Sequence, residues 1–442
     1  MEPLFILQAG LVVVAQLFAG TMVLRWLCGR AESAAARIAC ALILGPAILC
    51  IELLLMGACF GSASYELIVL PWVVGGFVWL VRGCARGTLQ VRLPHLLGYA
   101  GALLLIGGVL NLSVPPTHGD PGSNFAGYAK LYAHLGHVDP VAAEGLSIFG
   151  HFEYPPLLAA NESLFFQIDT EAGSQMLGVM FALYLVALLL LAWSATGAGA
   201  SPRVKLVSIG LLILLAVQPS TIQFATYAYA ELPLVAALLW MLIEVGKLLG
   251  RGKARNSQFA GVLLAGLTLA LTKQEGILLA IAVASVLPLI LGWRKAWVPL
   301  VVATLASVWP IRIAALGLES GWLSSAVSEF SIEKLGRVPS AAEALLRETF
   351  AYESYPALGF ATFAIVALGF ALARAVQAKS ARGAGLVLIG LGLHFAVYVL
   401  VFSVTSEEFE WHLHTASGRL AYHFIPYFIL LTRTREQAVA TA

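Results

Sequence analysis

Asp120 is the residue best placed for chemistry. It stands in His118-Gly119-Asp120-Pro121-Gly122, directly after an apolar stretch, so a rigid turn holds a carboxylate at a membrane edge. An ionised carboxylate there can accept a proton from an attacking hydroxyl as a general base. An Asp between glycines and a proline is also an ordinary turn former, and both readings stand. A second acid, Glu153, lies in His151-Phe-Glu-Tyr-Pro-Pro156, where aromatic residues and two prolines stiffen the return toward the membrane. Thr272-Lys273-Gln274-Glu275-Gly276 sets two opposite charges between the apolar runs 261–271 and 277–290. Charges so near hydrocarbon are costly and tend to face cavities with partners, although a tight turn with a snorkelling Lys explains them too. In Trp411-His412-Leu-His414-Thr-Ala-Ser417-Gly-Arg419, the guanidinium opens an apolar helix, a position suited to bidentate phosphate binding. No metal is expected at His412 and His414, because the neighbouring Glu407, Glu408 and Glu410 form no ligand pattern. Glu231 precedes Pro233 in an apolar stretch with Tyr227 and Tyr229, where it lines a cavity or pairs with another span.

The elements that must position these residues are membrane helices. The chain is 60% hydrophobic and only 11% charged, against about 25% charged in soluble domains, and its mean hydropathy is +0.88. Apolar stretches near the bilayer-crossing length fall at 4–24, 36–57, 65–81, 94–113, 174–195, 203–217 and 225–246. Six more follow at 259–271, 276–291, 297–316, 357–373, 384–403 and 418–432. The first reads as a retained span, because Met1-Glu-Pro-Leu has no basic region and no small-residue cleavage site follows. The expected fold is therefore all-α and polytopic, with about 13 transmembrane helices. Residues 203–217 and 259–271 are short, as spans beside a water-filled cavity can be. The five cysteines all lie within the first 84 residues, in or beside apolar runs, and read as small core hydrophobes.

Residues 114–172 form a long polar loop with seven acids, four histidines and one basic residue, Lys130. Loops beyond about 15 residues usually carry function or are disordered. The runs at 124–132 and 163–166 predict short amphipathic helices on the membrane surface, while Asp139, Glu144, Glu162 and Glu171 read as solvated. Nineteen of the 26 basic residues fall on alternate connections, and 17 of the 24 acids fall on the other side. The positive-inside rule makes the basic side cytoplasmic, so loop 114–172 and the Lys273 turn face outward. Basic clusters such as Lys247–Arg255 mark topology rather than nucleic-acid binding. No Walker loop, zinc spacing, Gly-x-Ser-x-Gly element or internal repeat is present.

Together Asp120, Tyr128-Ala-Lys130, Tyr154-Pro-Pro-Leu157, Thr272-Lys-Gln-Glu-Gly276 and Trp411-His-Leu-His-Thr-Ala-Ser-Gly-Arg419, followed by Pro426, resemble the bacterial GT-C superfamily of membrane glycosyltransferases. The resemblance covers residues 94–432. It implies a three-helix extension at 1–93, a GT-C-like catalytic module at 94–432 and a cytoplasmic tail at 433–442. It also implies transfer of a sugar, with inversion, from a polyprenyl-phosphate donor to a glycan, lipid or protein acceptor. The expected site has Asp120 as catalytic base with Glu153 beside it, and Arg419 and Lys273 on the donor phosphate. Lys130, Tyr154, Glu275, Glu231, His412 and His414 would contact substrate. No cofactor is expected, the partners include membrane lipids, and the location implied is the bacterial inner membrane with an outward-facing site. The chain departs from the family in having three spans before the loop and no acid beside Asp120. Two alternatives remain: a transporter or flippase for a lipid-linked or anionic solute, and a non-catalytic partner in an envelope assembly. Short spans and Glu231 favour the first of these.

Overall fold

The computed structural model describes residues 3–28, 33–85, 106–109, 125–145, 151–196, 202–250, 256–292, 295–318, 331–350, 381–404 and 408–431. The described elements are helices: α1 (Pro3–Leu27), α2 (Ala34–Phe60), α3 (Tyr65–Ala85), α4 (Gly127–Leu135), α5 (Pro140–Glu144) and α6 (Leu157–Ile168). There follow α7 (Thr170–Thr196), α8 (Pro202–Val217), α9 (Pro219–Thr226), α10 (Glu231–Gly250), α11 (Asn256–Thr272) and α12 (Gln274–Leu291). The last are α13 (Trp297–Ala306), α14 (Val308–Ala315), α15 (Val338–Phe350), α16 (Ala381–Val404), α17 (Phe409–Tyr422) and α18 (Ile425–Leu431).

The expectation of 13 spans is corrected. Among the described residues five helices are long and apolar enough to cross a membrane, or up to seven if each bent pair counts as one. The difference has identifiable causes. Glu231, Glu244 and Lys247 put three charges into α10. The stretches around Lys273 form two short helices, Phe259–Thr272 and Gln274–Pro288. The apolar run at 203–226 bends by 55° at Pro219, and the run at 297–315 bends by 45° at Ser307. Pro219 supplies no backbone N–H to the preceding turn, which is the usual origin of such a kink. The expected span 225–246 is interrupted as well. Ala228 adopts a left-handed conformation with φ 59°, and the helix restarts only at Glu231. The spans expected at 94–113 and 357–373 lie largely or wholly outside the described residues.

The chain forms two compact units. Unit 1 comprises residues 1–190 and 223–233. Here α1 crosses α2 closely, and a Cβ at Gly45 would collide with the Gln16 backbone. Small residues at such crossings let helix backbones touch, which is where packing without a hydrophobic drive gains most. The indole of Trp72 on α3 donates to the Glu52 carboxylate of α2 at 2.8–2.9 Å. Helix α6 corrects the surface-helix expectation: Leu157 to Phe166 are all buried, and α6 packs on α1, α2 and α4.

Unit 2 comprises residues 191–222 and 234–442. Helices α11 and α12 form a hairpin around Lys273 and pack on α13. Gly276 makes the hairpin possible, because a Cβ there would fall on the Leu269 carbonyl. Gly276→Ala is expected to lower stability by about 1–3 kcal/mol, the usual cost of overpacking. Thermal unfolding of the purified variant in detergent measures it, and an unchanged transition would show that the hairpin tolerates the wider separation.

Candidate functional site

Unit 2 gathers polar side chains from separate helices around the buried Lys273 and His423. Lys273 occupies the extended residue between α11 and α12, with φ −160° and ψ 160°. Its side chain is 3% exposed, and Nζ lies 3.1 Å from Glu275 Oε1. The Gly276 amide donates to the Lys273 carbonyl at 3.0 Å, closing the turn. Arg419 lies in the last turn of α17, where a cation complements the helix dipole. His423 follows the same helix and is fully buried. Its Nδ1 and the Tyr398 hydroxyl on α16 share a hydrogen bond of 2.6 Å. Lys273 and Arg419 both stand close enough for their charges to act on His423.

A polar seam continues beside it. The Tyr422 and Thr221 hydroxyls lie 2.9 Å apart, and Thr221 donates to Gln218 at 3.5 Å. Gln218 and Thr221 sit at the Pro219 bend, so the kink that interrupts the apolar run also delivers polar groups to the interior. The arrangement suits an anion. Two cationic donors and an imidazole converge where water is scarce, and charge-assisted hydrogen bonds are strong there. Glu275 is the internal competitor for Lys273.

The remaining expected site residues are distributed differently. Asp120 lies outside the described residues. In unit 1 Glu153 is buried and its Oε1 lies 3.1 Å from His151 Nδ1. Tyr154 stacks on the same imidazole at 5.1 Å. Burial, and after it the Glu153 charge, pushes the Tyr128 phenol above its ordinary range. Lys130 is exposed, places Nζ 5.5 Å from the centre of the Phe166 ring, and lines a cavity of about 530 Å³ with Tyr65, Glu66, His134 and Gln167. Glu231 is buried in the first turn of α10 and belongs to unit 1. In unit 2 the His412 ring meets Phe402 at 4.9 Å, and His414 is exposed. Lys273, Glu275 and Arg419 are thus brought together, whereas Glu153 and Tyr154 form a separate group.

Sequence reasoning missed His423, Tyr398, Thr221 and Tyr422. His423 carried a weak signal, since it stands four residues after Arg419 and so on one helical face with it. The others have none, because only packing joins α9, α16 and α17. Glu162 is a correction of another kind: it is 1% exposed rather than solvated, because Leu157–Phe166 is one buried helix.

Among the described residues, no group of three or more His, Cys, Asp or Glu side chains could hold a metal ion. No protein-family model matches the chain, and neither a curated protein nor a solved structure is similar to it. The GT-C resemblance is overturned on these findings and on the span count, and with it the glycosyltransferase activity and the polyprenyl-phosphate donor. What stands is a multi-pass α-helical membrane protein with the buried Lys273 and the half-buried Arg419 near a buried His423 in its second unit.

Proposed function

We propose that this membrane protein binds an anionic group, a phosphate or a carboxylate, through Lys273 and Arg419. The observation that carries the reading is that two cations from distant parts of the chain stand around one buried imidazole, His423. Ionisable groups inside a membrane protein are costly and mark ligand sites by default. The basic residues on alternate connections support a bacterial cytoplasmic membrane location with the Lys273 turn on the outward side.

Two probes separate a free anion from a lipid headgroup. Inorganic pyrophosphate is titrated into purified protein by calorimetry, and phosphatidic acid is presented in nanodiscs. Arg419→Ala removes a charge-assisted contact worth about 2–3 kcal/mol, so binding of the true ligand class weakens about 30–150-fold. His414→Ala, at an exposed position of the same helix, leaves it unchanged. Equal affinity of wild type and Arg419→Ala for both probes overturns the assignment.

A further inference from the structure

Glu162 is the one buried carboxylate that the anion site does not use and for which the described residues supply no partner. It lies in the middle of α6 and is 1% exposed, and neither carboxyl oxygen meets a hydrogen-bond donor among the described residues. The polar side chain beside it on α6 is uncharged and already committed elsewhere. Asn161, the preceding residue, donates from Nδ2 to the Pro46 carbonyl at 2.7 Å and to the Leu157 carbonyl at 2.8 Å. Its Oδ1 accepts from Gln16 at 2.9 Å. Tyr184 on α7 stands close enough to interact electrostatically with both Glu162 and Cys50, and its hydroxyl also lacks a partner among the described residues.

An isolated carboxylate in such a place is far costlier than the neutral acid, and the usual resolution is that the group keeps its proton. We infer that Glu162 is a proton-binding site, carrying its proton in the resting protein and releasing it to water only when α6 loses the cover of the helices packed on it. The step forms and breaks a single O–H bond, and the proton passes to solvent.

The helices packed on α6 carry other titratable groups: Tyr128, Lys130, Tyr132 and His134 on α4, Arg37, Cys40, Cys50, Glu52 and Cys59 on α2, Tyr65, Glu66 and Arg82 on α3, and Arg25 on α1. Burial alone raises Glu162 well above the ordinary carboxylate range. The direction fixes the pH dependence. Below the unfolded-state value both states hold the proton. As pH rises past it, the unfolded chain releases the proton while the folded one retains it, so stability falls until the folded-state value is passed.

Infrared spectroscopy of the full chain in nanodiscs tests the assignment. At neutral pH the wild type should show the C=O stretch of an un-ionised carboxyl group, which Glu162→Gln abolishes. The apparent Tm of wild type should decline with rising pH through neutrality, and Glu162→Gln should flatten that decline. If Glu162→Gln fails to fold, the wild-type band is titrated directly, and its loss only well above the ordinary carboxylate range supports the site. Absence of the band at neutral pH overturns the proposal, as does a band unchanged in Glu162→Gln. A band abolished by sodium at fixed pH also overturns it, because the site would then take a metal cation.

Discussion

Glu275→Gln is expected to destabilise the protein and tighten its grip on anions at the same time. The carboxylate lies 3.1 Å from the Lys273 ammonium, and the two side chains are 18% and 3% exposed. Glutamine keeps the volume and a hydrogen-bonding oxygen but removes the charge that offsets a nearly dry cation. Breaking a buried pair by removing one partner costs about 3–5 kcal/mol. Partial exposure of Glu275 lowers the expected loss to about 2–3 kcal/mol. The same substitution deletes the group with which an incoming anion competes for Lys273. Ligand then restores stability by mass action, by about 2.7 kcal/mol at a hundred times Kd. The measurement is apparent Tm of wild type and Glu275→Gln with and without pyrophosphate or phosphatidic acid. The variant should start lower and gain more. Equal gains would remove Lys273 from the anion site, leaving Arg419 to be judged by its own binding test.

Asn161→Leu should be among the most damaging single changes in the first unit. Its side chain joins three elements, accepting from Gln16 on α1 and donating to Pro46 on α2 and Leu157 on its own helix. Leucine strands the Gln16 amide and removes the donor held by the Pro46 carbonyl. Each buried group left unsatisfied costs about 1–3 kcal/mol, so a loss of about 3–4 kcal/mol is expected. Gln16→Leu added to Asn161→Leu replaces both partners by apolar groups and should recover part of the loss, since such paired replacement is close to neutral. A double-mutant cycle on thermal stability reads the coupling, expected at more than about 0.5 kcal/mol for residues in contact. Additive losses would show that the contact between α1 and α6 contributes little and that packing alone sets their approach.

Both predictions depend on contacts that hydropathy does not encode. The membrane character was legible at once, because partition of an apolar run into lipid depends on its own composition and length. The long helices at 3–27, 34–60, 65–85, 170–196 and 381–404 follow from it. The charged turn at Lys273 was legible too, since its two charges stand two residues apart between apolar runs, and the pair could be seen without knowing what surrounded it. The number of crossings was not. A count of apolar runs treats each as a straight helix, whereas the run at 297–315 bends at Ser307, where Pro310 frees the Ala306 carbonyl one turn back, and the run at 225–246 breaks at Ala228, where no proline or glycine stands.

The sequence by itself determined that this chain lives in lipid, that it is helical, and that two opposite charges, Lys273 and Glu275, stand two residues apart between apolar runs. The tertiary structure alone decided that Lys273 and Glu275 pair, that His423 lies near Lys273 and Arg419 with Tyr398 and Thr221 extending the seam, and that Glu162 is buried rather than solvated. The physical reason is common to all three. Apolar helices are nearly interchangeable to the solvent around them, so which faces meet is set by shape and by a few polar contacts between segments far apart in the chain. Burial of a polar residue is therefore a property of its neighbours, and no window of local sequence contains them.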